Sequence, residues 1–318
     1  MITNPVSPTD RVGYLGPAGT FSEQALLGQP DLAAARRVPF DSFADLLFAV
    51  DCGDLEYGFV ATENAIEGSV NITMDTLAFD VELLIQREVV LPVEMNLMVR
   101  PGTGLDQIKQ VASFPHAYAQ CRDWLRENLP GAELVPTTST AGAAEAVALG
   151  DDPSVAAIGN SRAAEVYGLD LVARDIEDHP ENATRFALVA RSGIPAPTGH
   201  DKTSMVVFQR ADTPGSLLGI LQEFAARRIN LSLLLSRPTK TALGDYCFLI
   251  DADGHIADDV VADCLRALKV KQDVKFLGSY PADGARAPEV RGDADAKAVA
   301  AEDWLASLRA QLGDPSGH

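Results

Sequence analysis

The sequence predicts a two-lobed α/β region followed by a small ferredoxin-like βαββαβ domain. Three observations predict it. Up to about Arg191, short apolar runs alternate with amphipathic segments, as in βαβ units. A second round of that alternation begins after a long apolar stretch at 82–100. Beyond a proline- and glycine-bearing linker at 192–201, the order of elements changes to βαββαβ. The length, 318 residues, suits two or three domains better than one.

The runs 12–15 and 57–61 read as strands, with a helix over 21–27 between them. Ser42 can cap a further helix that lines up Phe43, Leu46, Leu47 and Val50 on one face. The stretch 82–100 is extended, broken by Pro92, and ends at Pro101-Gly102-Thr103-Gly104. The second round then reads strand 108–112, helix 117–129, strand 133–135, helix 140–149 and strand 155–158. A final apolar strand spans 186–190. The alternation predicts largely parallel sheets, in two lobes with a cleft between them. One lobe takes 11–100 and 184–194, and the other takes 101–183. Ligands bind in such crevices at the carboxyl ends of the strands.

Past the linker, 203–209 is a strand, and Thr213 before Pro214 marks a helix start. Leu217, Leu218, Leu221, Phe224 and Ala225 form the apolar face of that helix. Strands at 231–235 and 245–250, a helix at 257–269 and a strand at 274–278 complete a domain over 202–280. From Pro281 the chain is rich in Ala, Asp and Gly, so 281–318 is expected to be a mobile tail with one weak helix near 294–312.

The formal net charge is -19, which disfavours nucleic acid and anionic membrane surfaces as partners. No apolar run approaches the roughly 20 residues of a membrane-spanning helix. The first ten residues lack a basic region followed by an apolar core, so no signal peptide is expected. The four cysteines are far apart and form no CxxC pair, as suits reduced thiols in the cytoplasm. No HExxH-like spacing exists, so a metal site is not expected.

Several polar clusters follow the strands. Gly16-Pro17-Ala18-Gly19-Thr20-Phe21-Ser22 opens the first helix. It is either a tight strand-to-helix turn or an anion cradle of N–H groups and hydroxyls. Its spacing fits neither a dinucleotide fingerprint nor a Walker loop. Thr62-Glu63-Asn64 ends a strand and leads into Glu67-Gly68-Ser69. Asn64 is the better candidate there, because an amide both donates and accepts, whereas Glu67 reads as a surface charge. Ser113, with Gln120 further on, and Ser139-Thr140 precede other helices. Each is an ordinary capping pattern, and together they would make a dicarboxylate site. A lone loop histidine such as His179 reads as structural or solvated. Thr184 and Arg185 stand before the last strand, where an arginine can hold a carboxylate bidentately.

Together these residues resemble the prephenate dehydratase family. The matching stretches are 16–22, Glu63-Asn64 with Gly68-Ser69-Val70, Ser113 to Cys121, Ser139-Thr140-Ala141 and Thr184-Arg185-Phe186. The C-terminal part resembles the ACT domain of these enzymes through Pro214-Gly215-Ser216-Leu217 and Ser236-Arg237-Pro238. The resemblance spans roughly 12–280. It implies a periplasmic-binding-protein-like catalytic region followed by a ferredoxin-like ACT regulatory domain. It implies decarboxylating dehydration of prephenate to phenylpyruvate, in phenylalanine biosynthesis, without metal or redox cofactor. Thr184 would be the proton donor, with Arg185, Asn64 and Glu63 beside it. Thr20, Ser113, Gln120, Ser139, Thr140 and Phe186 would bind substrate. Gly215, Ser216, Leu217, Leu218, Ser236, Arg237 and Pro238 would bind phenylalanine or a related amino acid. A homodimer or homotetramer is implied.

Three departures stand out. The family's Ser-His-Pro-Gln is Ser113-Phe114-Pro115-His116 here, Ala65 replaces a serine after Glu-Asn, and Leu235 replaces the glutamate before Ser-Arg-Pro. Two other readings remain open from the residues. A two-lobed cleft also suits a non-catalytic carboxylate-binding or sensor protein. Chorismate mutase activity, carried in some relatives by a fused helical domain, is not expected.

Overall fold

The computed structural model describes residues 5–209, 213–239, 246–283 and 303–310. The chain divides into two compact units, 1–193 and 194–318.

The first unit begins with β1 (Arg11–Leu15), α1 (Phe21–Leu27), α2 (Pro30–Ala34), β2 (Arg36–Phe40), α3 (Phe43–Cys52), β3 (Tyr57–Asn64), β4 (Gly68–Ser69), α4 (Asn71–Asp75) and β5 (Leu84–Pro92). The chain then crosses to a second lobe. There it forms β6 (Asn96–Val99), β7 (Gln110–Ser113), α5 (Pro115–Ala119), α6 (Arg122–Asn128), β8 (Glu133–Pro136), α7 (Thr140–Leu149), β9 (Val155–Gly159), α8 (Ser161–Tyr167) and β10 (Asp170–Ala173). It returns to the first lobe as β11 (Ala183–Ala190).

The first sheet runs β2-β1-β3-β11-β5, with β4 paired to β3, and the second runs β10-β6-β9-β7-β8. The βαβ pairs are parallel, as the alternation requires. The strands that cross between lobes are antiparallel to their neighbours: β11 to β3 and β5, and β6 to β9 and β10. Each lobe thus has a mixed sheet rather than a largely parallel one, because a strand arriving from the other lobe enters from the opposite end. Asn96–Val99, counted with the first lobe in the division at 100/101, belongs to the second sheet. Val93 and Met95 already pack with Leu97 and Val111 in the second core.

Each lobe buries its own core. In the first, Phe59 and Phe186 stack with ring centroids 5.1 Å apart, among Val12, Leu26 and Leu188. The helix expected over 117–129 is broken at Gln120 and Cys121. The Gln120 carbonyl accepts the Asp178 N–H at 2.7 Å and so leaves the helical ladder. Cys121 is buried, and burial pushes its thiol pKa up.

The second unit contains β12 (Asp201–Phe208), α9 (Ser216–Ala226), β13 (Leu231–Pro238), β14 (Tyr246–Asp253), α10 (Asp259–Lys271) and β15 (Asp273–Pro281). Its sheet order is β13-β14-β12-β15, all antiparallel, which is the ferredoxin-like arrangement. Helix α9 starts at Ser216 instead of after Thr213. Gly215 takes a left-handed φ of 90°, so Pro214-Gly215 is a turn, closed by Thr213 Oγ1 and Ser216 Oγ at 2.8 Å. Ile220 and Phe224, one turn apart, are the residues this helix buries. Leu217 and Leu218, expected on that face, are exposed. On β13 burial alternates, so Leu234 is exposed while Leu233 and Leu235 are half-buried. Residues 303–309 are helical, while 284–302 and 311–318 lie outside the described residues. No helix among the described residues is long and apolar enough to cross a membrane.

One charged pair ties the first lobe together. Asp31 on α2 accepts two hydrogen bonds from Arg87 on β5, and both side chains are 9% exposed. Asp31 also accepts the Val6 N–H at 2.9 Å. Burial pushes its carboxyl pKa up, but the Arg87 guanidinium and the Val6 N–H outweigh burial and hold it below its usual value. A depressed folded-state pKa contributes stability above the unfolded pKa near ~4, lost as pH falls through the folded value. Asp31→Asn is expected to cost about 3 kcal/mol in urea melts at pH 7, because it leaves Arg87 buried without a counter-charge. The gap to the wild type should narrow below about pH 4; a gap constant down to pH 2 would contradict this.

Candidate active site

The polar groups gather where β3 ends and β11 begins. Their register holds a one-residue irregularity. Phe186 pairs with Ala61, but Arg185 pairs with Glu63 and Thr184 with Asn64. Thr62 is the extra residue, a β-bulge, and its hydroxyl donates to the Arg185 carbonyl at 3.2 Å. Without the bulge, Asn64 would stand opposite Ala183, out of phase with Thr184.

Asn64 Nδ2 donates to Thr184 Oγ1 at 3.0 Å. Its Oδ1 accepts the N–H groups of Ile66 and Glu67, both at 3.0 Å. Backbone N–H groups can only donate, so the amide oxygen must face them and the NH₂ must face Thr184. Thr184 therefore receives a hydrogen bond, and its own proton is left for another acceptor.

Neighbouring residues on a strand face opposite sides. Arg185 accordingly lies away from Thr184, against Glu63 at 3.6 Å and Glu88 at 3.4 Å. The Glu88 side chain is only 4% exposed. Arg185 thus faces two carboxylates of its own sheet and leaves the Thr184–Asn64 pair to the other face. Phe186 is 1% exposed and stacked on Phe59, so it packs the core beneath Thr184 instead of presenting itself to a ligand.

The capping hydroxyls are less free than their sequence positions suggest. Thr20 donates its single proton to the Leu15 carbonyl at 2.8 Å and accepts the Glu23 N–H. The turn reading of 16–22 accounts for this hydroxyl. Ser113 is fully buried and donates to the Phe114 carbonyl at 3.1 Å. Ser139 caps α7 by accepting the Gly142 N–H at 2.9 Å, which leaves its proton unspent, and Thr140 follows as the first helical residue. Gln120 donates to Glu67 at 3.2 Å and accepts from Asn182 at 3.1 Å.

Four residues that the sequence reading did not select meet here or nearby. Glu67 joins the lobes, contacting His116 and Gln120. Asn160, the α8 cap after β9, is 1% exposed, and its Nδ2 has no partner among the described residues. Asn182 is 2% exposed, and its Oδ1 has no partner among the described residues. Glu23, 4% exposed, accepts the Gly19 N–H at 2.7 Å and faces Arg162 of the second lobe at 3.3 Å. Gly19 has φ 87°, and a Cβ there would stand 3.1 Å from Ala163 Cα, so a glycine is what lets this turn meet α8. Asn160 carries the same signal that marked Asn64, a polar amide directly after a buried apolar strand.

In the second unit, Gly215, Ser216, Leu217 and Leu218 begin α9, and Ser236, Arg237 and Pro238 end β13. Phe208, which ends β12, pairs with Cys247, and Pro238 pairs with Tyr246. Both groups therefore follow or end strands at the same end of the sheet.

The family model described as prephenate dehydratase matches residues 12–193, and the ACT domain model matches 204–270. A prephenate dehydratase of Mycobacterium sp. (strain JLS) is 43% identical, over 96% of this chain and 98% of its own. One from Mycobacterium leprae (strain Br4923) is 44% identical, with the same shares covered. A crystal structure of prephenate dehydratase from Arthrobacter aurescens in complex with L-Phe has a TM-score of 0.86 at 43% identity. It covers 94% of this chain and 99% of that one. With its first unit matched over nearly its whole length, the chain belongs to the prephenate dehydratase family and carries an ACT domain behind the matched region.

Proposed function

We propose that the cleft converts prephenate to phenylpyruvate with the Thr184–Asn64 pair at its centre, in a cytoplasmic enzyme. The observation that carries this reading is the fixed direction of the Asn64 amide, which spends a Thr184 lone pair and keeps its proton for a substrate oxygen. The bond from the ring to its carboxylate breaks, and its electron pair moves into the ring. That cleavage frees carbon dioxide, and the electron shift through the ring breaks the C–O bond, so the hydroxyl oxygen leaves with the bonding pair. Aromatisation supplies the driving force. Thr184 donates its hydrogen bond to the departing oxygen, and solvent supplies the proton that completes water. A threonine hydroxyl is a weak acid, so its contribution is that of a positioned hydrogen-bond donor. Asn64 strengthens that donor, since a hydroxyl that accepts a hydrogen bond donates a better one. Ser139, Thr140 and Gln120 orient the two carboxylates. Glu63 and Arg185, with Glu88, hold the strand pair in register from the opposite face.

The C-terminal unit has the order and antiparallel sheet of an ACT domain, and a relative binds L-Phe. We infer that phenylalanine is the effector and that 215–218 and 236–238 receive it. The enzyme assembles as a homodimer or homotetramer.

Thr184→Ala should lower kcat for phenylpyruvate formation by roughly 100-fold or more, the cost of losing one transition-state donor, while Thr184→Ser retains most turnover. Near-normal turnover in the alanine variant would remove Thr184 from the chemistry. Added L-phenylalanine should reduce wild-type turnover of prephenate. An unchanged rate would withdraw the effector reading and leave the lyase reading in place.

A further inference from the structure

We propose that Glu67 is a positioning residue for this reaction, a carboxylate that spans the two lobes and sets the direction of the Gln120 amide. The inference rests on the reading of Gln120 as a substrate-binding residue.

Glu67 lies in the turn between β3 and β4 of the first lobe, while His116 and Gln120 lie on and just after α5 of the second. Its backbone N–H donates to Asn64 Oδ1 at 3.0 Å. Its carboxylate accepts from Gln120 Nε2 at 3.2 Å and contacts His116 Nδ1 at 3.0 Å. One residue therefore holds two amides, Asn64 through its main chain and Gln120 through its side chain.

The direction follows from donor and acceptor types alone. An ionised carboxylate only accepts, so it draws the NH₂ end of Gln120 toward itself. Gln120 Oε1 must then face the other way, where it accepts from Asn182 Nδ2 at 3.1 Å. That in turn leaves Asn182 Oδ1 as a buried acceptor without a partner among the described residues, two positions before Thr184. A chain of amides has two possible directions, and only the carboxylate at its end selects one. His116 stacks on Phe114 with ring centroids 5.3 Å apart, which keeps the imidazole beside Glu67. The exchange of His-Pro-Gln for Phe114-Pro115-His116 thus places a histidine against the carboxylate that does the aligning.

The test is a double-mutant cycle on prephenate turnover with Glu67→Ala, Gln120→Ala and the pair, each checked for an unchanged melting temperature. Glu67→Ala should lower kcat/KM at least tenfold, within the range for a hydrogen bond to a charged group. In the Gln120→Ala background the same change should cost less than about twofold, because Glu67 acts through Gln120. Glu67→Gln, which offers one acceptor of similar reach, should recover part of the loss. Equal costs in both backgrounds, or wild-type kcat/KM in Glu67→Ala, would overturn the proposal. A Gln120→Ala enzyme with full activity would instead remove the substrate-binding role on which it rests. If Glu67→Ala does not fold, the cycle is run with Glu67→Gln, and additive costs again count against the proposal.

Discussion

The site depends on one extra residue in one strand. Thr62 bulges from β3, and every residue beyond it shifts by one position relative to β11. The shift carries Asn64 opposite Thr184 and Glu63 opposite Arg185. A ladder without it would place an alanine beside Asn64 and a glutamate beside Thr184. Bulges recur next to active sites because they re-aim side chains without breaking the sheet. Here the backbone cost is small, since the Thr62 hydroxyl serves the Arg185 carbonyl and its own carbonyl accepts the Val70 N–H at 2.8 Å.

The rest of the site is anchored to that register. The β3–β4 turn follows directly from the bulge and presents the N–H groups that hold Asn64. The same turn carries Glu67 toward α5, so the geometry of the first lobe is passed to the second through side chains. A second link between the lobes runs through Gly19, Glu23 and Arg162 on α1 and α8. Beneath the site, Phe186 on Phe59 and the Asp31–Arg87 pair keep the sheet and its helices in place. Two faces of one strand therefore have separate tasks. Thr184 is available to a ligand, while Arg185 is enclosed by Glu63 and Glu88.

Much of this was legible in the residues. The alternation of apolar runs places β1, β3, β7 and β9, and the helices 21–27 and 140–149 match their capping residues Thr20 and Ser139. The motif residues Asn64 and Thr184 do meet. What was not legible depends on partners distant in sequence. The bulge is a property of two strands separated by more than a hundred residues, and neither sequence run signals it. The direction of the crossing strands depends on which lobe the chain leaves. The break after α5 follows from Asp178 capturing a carbonyl, a contact across fifty-eight positions. Glu67 reads as a surface charge because a single sequence cannot show that another lobe faces it. Capping hydroxyls were overvalued for the converse reason. Thr20 and Ser113 spend their protons on neighbouring carbonyls, a local outcome that leaves little for a ligand.

The central claim is that Asn64 donates to Thr184 and so directs its proton to the substrate. The most direct measurement is the single-turnover rate of Asn64→Asp with saturating prephenate at neutral pH. An aspartate keeps the size of the side chain and still accepts the N–H groups of Ile66 and Glu67, but it cannot donate. It would take the Thr184 proton for itself. The account predicts a folded enzyme whose chemical step is slower by roughly 100-fold, the cost of a misdirected donor. A rate close to that of the wild type would contradict it, and would mean that the direction of the Asn64 amide has no bearing on the reaction.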